Sequence, residues 1–382
     1  MDRRIGALDL LRGVAIAGTL GTNIWIFTDP GGPGALLGFG ADAGGVETFL
    51  RFLSNGKFLG LLTLLLGVGL ELQYRSAVRR GLTWPGRYLW RATLLLAEGI
   101  LHYVLIFEFD VLMGYAITSM IVAYLIGRSE RVVTAWMVAA GTLLLAMVGL
   151  LTALLMTMPA GGGTAAAHPS GWLEQVELRL RYAAIFRAEL LFIVPLGIVL
   201  FLLGARLMRA GVFEERGARL RGRLIAAGIG AGVPLNLLTS FAGPAWFMVD
   251  RYLVAPLVSL GLLALITSIV LRMRSAPGVL RRGFTNVGRM ALSCYVFQNL
   301  VAGALCYGWG LGLATRLDGL RPWWVPVAWA GICVLFMTLS SLWLRRFDRG
   351  PIELAWQWAY QAPWRRTRAG GGQVEQVSEA GR

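Results

Sequence analysis

The sequence predicts an all-α fold: a polytopic integral membrane bundle of about ten transmembrane helices, with both termini in the cytoplasm. Three observations predict it. The first is composition. Of 382 residues, 56% are hydrophobic and only 15% charged, with a mean hydropathy of +0.63. A soluble domain is about 45–50% apolar and about 25% charged. The second is that apolar runs of about 20 residues, the length that crosses a bilayer, recur along the whole chain. The third is that arginines crowd alternate connectors between those runs.

The runs lie near 7–27, 52–74, 88–107, 111–127, 132–157, 189–208, 224–242, 252–271, 287–308 and 323–344. Basic residues then set the orientation. Twenty-six fall at the N-terminus, in the connectors after spans 2, 4, 6 and 8, and after span 10; eight fall in the other set. The positive-inside rule assigns the rich set to the cytoplasm. Residues 1–368 therefore read as one bundle, with five helices in 1–157 and five more in 189–364. Residues 158–188 form a long external connector that turns amphipathic around Trp172–Arg187, as a helix lying on the outer surface does. Residues 350–364 suit a short cytoplasmic interfacial helix, with Pro351 at its start and Trp356, Trp358 and Trp364 at the headgroup level. The tail 369–382 opens on a glycine run and reads as disordered.

Several function classes drop out. The net charge of +15 is mostly a consequence of topology, which removes nucleic acid as a partner. Cys294, Cys306 and Cys333 sit in apolar runs without CxxC spacing, so neither a disulfide framework nor a metal site is expected. Asp9 and Arg12 interrupt the first apolar run, so it reads as a retained helix and not as a cleaved signal. GxSxG, HExxH, Walker A and dinucleotide-binding patterns are all absent from the sequence. Any chemistry belongs inside the bundle.

Ionisable residues within spans are costly and mark candidate sites. In the first span, Asp9 and Arg12 are spaced i, i+3 and can pair; Asn23 lies three turns further along the same face. Such a pair is equally what anchors a helix at the interface. In the third span, Arg91, Glu98 and His102 form one polar stripe. His102 lies about 21 Å from position 88 at 1.5 Å per residue, in the outer part of the bilayer. The turn Phe107–Asp110 is short enough to return Asp110 to the level of His102. A carboxylate there fixes the imidazole tautomer and raises its basicity; a buried histidine satisfied by Glu98 or a carbonyl is the plainer account. The other histidine, His168, reads as a surface residue. In the ninth span, Gln298 and Asn299 fall near mid-membrane, with Arg289 and Ser293 nearer the cytoplasm. Hydrogen bonding between helices accounts for Asn299. Glu71 and Gln73, at the inner end of the second span, read as interfacial.

These segments carry a resemblance. LDLLRGVAI with Asn23 beyond it, KFLGLLTLLLGVG from Lys57, EGILHYVLIFEFDVLMGYA from Glu98, GRMALSCYVFQN from Gly288 and RGPIELAWQW from Arg349 occur in the order and spacing of the YeiB family of bacterial inner-membrane proteins. The C-terminal half resembles the domain of unknown function that defines that family. The resemblance implies a multi-pass protein of the bacterial cytoplasmic (inner) membrane. It also implies kinship with transmembrane acyltransferases such as heparan-α-glucosaminide N-acetyltransferase, and more distantly with enzymes that O-acetylate bacterial surface sugars. Those share a ten- or eleven-helix bundle and an LD-x-x-RG-like first helix, and carry an acyl group from cytoplasmic acyl-CoA to an acceptor across the membrane. The active histidine of the heparan enzyme follows its first helix. The corresponding residues 24–48 here contain no histidine, which leaves His102.

The expected function is acyl transfer, with acyl-CoA, acetyl-CoA first, as donor substrate and no permanently bound cofactor. His102, Asp110 and Glu98 are the catalytic candidates, His102 as base or acyl carrier and a carboxylate orienting it. Asp9, Arg12, Asn23 and Gln298 are the substrate-binding candidates, with Asn23 or Gln298 at the oxyanion. Arg91 and Arg289 are the candidates for the donor's phosphates. The acceptor would be an envelope glycan or lipid; the lipid bilayer is the standing partner, and homodimerisation is left open. The rival readings are a transporter or exporter, against which no inverted repeat is visible, and a non-catalytic membrane partner.

Overall fold

The computed structural model describes residues 3–32, 44–157, 171–273 and 277–362. The tail 369–382 and His168 lie outside the described residues. Among those described there are helices and no strands: α1 Arg3–Phe27, α2 Gly45–Phe52, α3 Lys57–Arg79, α4 Arg87–Leu105, α5 Leu112–Leu125, α6 Glu130–Thr157, α7 Trp172–Arg181, α8 Ala183–Arg187 and α9 Leu190–Arg209. There follow α10 Ala218–Ile225, α11 Gly232–Phe241, α12 Phe247–Val249, α13 Ala255–Arg272, α14 Val279–Arg289, α15 Ala291–Cys306, α16 Leu313–Arg316 and α17 Trp324–Trp343. A last helix, α18, covers 351–362.

Each apolar run found in the sequence holds a helix. An isolated helix satisfies its own backbone in lipid, so its position is written locally in hydropathy. Seven helical stretches among the described residues are long and apolar enough to cross a membrane. α5 and α15 are apolar but shorter, and α4 carries Arg87, Arg91, Glu98 and His102. These three helices bring in the polar interior described below. α1, α3, α9 and α13 are mostly buried and form the centre. α6, α11 and α17 ring it with exposed apolar faces: Leu150 is 74% exposed, Val327 71% and Leu238 69%. Apolar surface on this scale needs a cover, and a bilayer supplies it. The protein is a multi-pass helical membrane bundle.

Three predicted spans are not single regular rods. The ninth breaks at Met290, where α14 ends and α15 starts. The seventh and eighth each contain a π-helical stretch, Ala226–Ala231 and Asp250–Val254. α14 crosses α1 at backbone contact, because Gly13 faces the Phe284 carbonyl and Gly288 faces the Asp9 carbonyl with no room for a Cβ at either. Small residues permit such approaches in membranes.

The connector expected to be external does more than lie on a surface. α7 buries Gln175 and Arg179 completely. The Arg179 guanidinium pairs with Glu108 at 3.0 Å and donates to the carbonyls of Val104 and Ile106; the Trp172 indole donates to that of Leu105. The last carbonyls of α4 are thereby satisfied by a positive group, the charge a helix C-terminus favours. Glu71, read as interfacial, is enclosed by protein. It is 1% exposed and held by Arg75 at 2.6 Å and Arg209 at 2.8 Å. Hydropathy placed it at the end of a span, but the arginine of α9 that covers it is remote in sequence. At the same end, α18 docks beneath α4: the Trp90 indole donates to the Ala359 carbonyl, and Arg91 lies over the Trp356 ring at 4.8 Å.

A buried histidine relay above an arginine cluster

α4 and α5 are antiparallel and meet closely where Gly99 faces the Met113 amide. The turn between them returns Asp110 to His102, as the spacing predicts. His102 is 2% exposed and Asp110 1%. The imidazole Nδ1 lies 2.9 Å from Asp110 Oδ1, and Asp110 Oδ2 accepts from the Met113 amide at 3.3 Å, capping α5. An ionised carboxylate only accepts, so Nδ1 carries the proton and Nε2 offers its lone pair. Nε2 faces Asn299 Nδ2 at 3.3 Å. The Asn299 carbonyl in turn accepts from Asn23 Nδ2 at 3.1 Å. The result is a directional chain, Asn23 to Asn299 to His102 to Asp110, in which each group donates to the next. Tyr295 stands 5.2 Å from the imidazole, ring to ring, and Phe107 6.4 Å from it edge-on. The walls are apolar and the relay is fully paired.

Two arginines, one from α7 and one from α8, lock this turn. Arg187 donates to the Asp110 carbonyl at 2.9 Å and to that of Glu108, and its guanidinium lies over Tyr103 at 4.0 Å. Arg179 supplies the Glu108 counter-charge already described. Both were outside the predicted site, since neither α7 nor α8 is adjacent to α4 in sequence. The visible signal was Glu108, a carboxylate two residues from Asp110 in a turn without a basic neighbour.

Not every candidate joins the relay. Glu98 lies one helical turn from His102, but both its carboxyl oxygens are buried without a hydrogen-bond partner. Asp110, not Glu98, orients the imidazole. Gln298 donates to the Ile16 carbonyl at 3.2 Å and is spent tying α15 to α1. Asn299, read from sequence as an interhelical contact, is one and is also the direct neighbour of His102. A second buried polar cluster went unread: Asp250 accepts from Asn55 at 2.8 Å, Asn236 at 2.6 Å, Thr239 at 2.7 Å and Ser240 at 2.9 Å. Lys57, the sole lysine, is buried nearby and donates to the Phe52 carbonyl.

The remaining candidates gather at the other end. Asp9 and Arg12 form an ion pair at 3.1 Å. The α1–α14 contact brings Arg289 within electrostatic reach of Asp9, and Arg91 lies within reach of Arg12 and Arg349. Arg91 and Arg289 are exposed; Arg91 donates to Gln73 at 2.9 Å and, among the described residues, Arg289 donates to the Asp348 carbonyl alone at 3.4 Å. Fourteen residues of α1 separate Asp9 from Asn23, about 21 Å at 1.5 Å per residue. The cluster and the relay are thus opposite ends of one helix. Among the described residues no group of three His, Cys, Asp or Glu could hold a metal ion.

Residues 207–362 match the model of a protein of unknown function, DUF418. The chain is 27% identical to the uncharacterized protein YxaH of Bacillus subtilis, over 95% of this chain and 96% of that one. It is 27% identical to an uncharacterized 39.9 kDa protein in the amylase 3' region of Bacillus acidopullulyticus, over 94% of each. No solved structure matches. The uncharacterized protein YeiB of Escherichia coli is 30% identical over 94% of this chain and 96% of its own length, and the chain belongs to the YeiB family.

Proposed function

We propose that this protein is a transmembrane acyltransferase of the bacterial inner membrane. It moves an acyl group, acetyl in the simplest case, from cytoplasmic acyl-CoA to a hydroxyl or amine of an envelope glycan or lipid. The observation that carries the reading is the buried Asp110–His102–Asn299 relay at the end of the bundle remote from Arg12, Arg91 and Arg289. A carboxylate on Nδ1 leaves Nε2 as the basic nitrogen, the arrangement general-base catalysis uses. In the proposed reaction, the Asn299 amide moves aside and Nε2 takes the acceptor's proton. The acceptor oxygen or nitrogen attacks the thioester carbonyl, and the amide hydrogens of Asn23 and Asn299 hold the resulting oxyanion. Collapse breaks the carbon–sulfur bond, and the thiolate leaves with the proton from Nε2. Asp110 stabilises the transient imidazolium. Arg12, Arg91 and Arg289 would hold the phosphates of the donor at the cytoplasmic mouth.

The test pairs binding with chemistry. Acetyl-CoA is expected to raise the melting temperature of purified protein, with the effect weakening as salt rises. His102→Gln is expected to fold like the parent and lose about 10²–10⁴-fold in acyl transfer, followed by mass spectrometry of the envelope glycans and lipids of expressing cells. Full acylation by His102→Gln would make the histidine structural. Glu98 favours a second reading, export of a lipid-like solute, because unpartnered carboxyls in spans also mark proton paths. Absence of any stabilisation at millimolar acyl-CoA would favour it.

A further inference from the structure

We propose that a lateral cleft at the arginine-rich end binds one anionic phospholipid, with an acyl chain in the cleft and the headgroup on Arg345 and Arg346. The cleft is about 600 Å³ and lies between α15 and α17, within the range of about 300–1,000 Å³ usual for small-molecule sites. It exists because α15 starts only after the break at Met290, while the chain leaves α17 at Leu344 and folds underneath. Its walls are Cys294, Phe297, Phe336, Leu339, Trp343 and Phe347. Phe347 stacks on Trp343 at 4.3 Å, and the Trp343 indole donates to the Arg349 carbonyl at 2.8 Å. Phe297 and Leu339 are 37% and 47% exposed, so the cleft opens sideways to the bilayer. Tyr295 and Asn299 meet His102 on another face of α15, so the cleft is independent of the acyl-transfer reading.

The mouth identifies the ligand's charge. Arg345 and Arg346 line it, are exposed and have no side-chain partner among the described residues. Residues 345–349 hold three arginines and one aspartate, a net charge of +2. Glu353, the carboxylate of α18 nearest the cleft, is already engaged: it accepts from the amides of Leu292 and Ser293 and from the Ser293 hydroxyl. An apolar slot with unpaired guanidiniums at headgroup level matches an anionic lipid. A second copy is a poorer match, because a twofold contact through this patch would set one arginine pair against the other.

Native mass spectrometry of the full-length protein, purified in a neutral detergent, tests the assignment. The probes are phosphatidylglycerol, phosphatidylcholine and palmitoyl-CoA. The parent is expected to retain one phosphatidylglycerol at least tenfold more tightly than phosphatidylcholine. The double variant Arg345→Ala/Arg346→Ala should lose that preference, and Leu339→Trp, which fills the slot from an exposed position, should lose the tight adduct of both lipids. Equal retention of the two lipids, or a preference that survives both variants, overturns the proposal. Palmitoyl-CoA that displaces phosphatidylglycerol from the parent and is itself lost in Leu339→Trp, or a dimer in place of the lipid adduct, overturns it in favour of a donor chain or a second copy.

Discussion

The two ends of the bundle treat charge in opposite ways. Apart from the unpartnered Glu98, the charged side chains that meet at the turn beside His102 are buried or half-buried and matched: Arg179 with Glu108 at 3.0 Å, Asp110 with the imidazole at 2.9 Å, Arg187 with two carbonyls. Around Asp9 the arginines stay at the surface. The Arg12 side chain is 34% exposed, Arg91 and Arg289 are exposed, and single acceptors answer several donors. A buried charge is tolerable only when its partner is held in place, so the first arrangement is rigid by necessity. An exposed guanidinium keeps its hydration and little of its pairing energy, so the second is free to exchange its weak partners for a ligand. One end is built as a fixed site and the other as a grip.

The contrast can be broken outright by topology. Leu173 is 73% exposed on α7, which is tied to the end of α4 at Leu105, and Leu82 is 49% exposed in the connector before α4 starts at Arg87, so the two mark opposite ends of α4. With Cys294, Cys306 and Cys333 replaced, Leu173→Cys is expected to react with an impermeant maleimide only from outside the cell, and Leu82→Cys only from the cytoplasm. Labelling of both from one side would remove the distinction. Next in size is Arg179→Ala. It strands the Glu108 carboxylate in a buried setting, which costs about 3–5 kcal/mol. Thermal unfolding should show the loss, and Glu108→Gln in the same chain should restore part of it. If Arg179→Ala unfolded like the parent, the far end would be wetter than described.

Asp110→Asn replaces a charge-assisted hydrogen bond, worth about 1.5–3 kcal/mol, with a neutral one that no longer dictates the Nδ1–H tautomer. Stability should fall by that order. Nitrogen-15 shifts of His102 should report a mixture of tautomers, while an unchanged Nδ1–H signature would show that Asn299 sets the tautomer. The smallest effect is expected at Arg12→Ala. A pair with one partner a third exposed contributes about 0.2–1 kcal/mol, so melting should barely move while the salt-sensitive stabilisation by acetyl-CoA shrinks. A large loss of stability would mean that the ion pair at this end is as structural as the one at Glu108.

The fold was legible in the sequence to the level of individual helices, and the site only in part. Glu98, His102 and Asp110 were findable because they lie within thirteen consecutive residues, joined by helical spacing and one short turn. The depth of His102 followed from counting residues along α4. What could not be counted was which helix faces which. Asn299 is 197 residues from His102 and 276 from Asn23, and Arg179 is 71 from Glu108. Glu98 and Gln298 were assigned to the site by helix face alone. The neighbouring helix that decides whether such a face is paired, empty or tied to a backbone carbonyl is not written in the same segment.

By itself the sequence determined a helical membrane protein, the positions of its spans, the arginine-rich end and a carboxylate, Glu98 or Asp110, within reach of His102. Those properties depend on interactions along one segment or on its transfer into lipid, and both are additive over neighbouring residues. Only the tertiary structure decided that Asp110 and not Glu98 holds the imidazole, that Asn299 closes its other side, that Arg179 is buried beside it, and that Glu71 is clamped between two arginines. Between helices in lipid, the selecting forces are close packing at small residues and a few hydrogen bonds. Glycines such as Gly13 and Gly288 leave no trace in hydropathy, although their contact sets the register that brings the distant partners together.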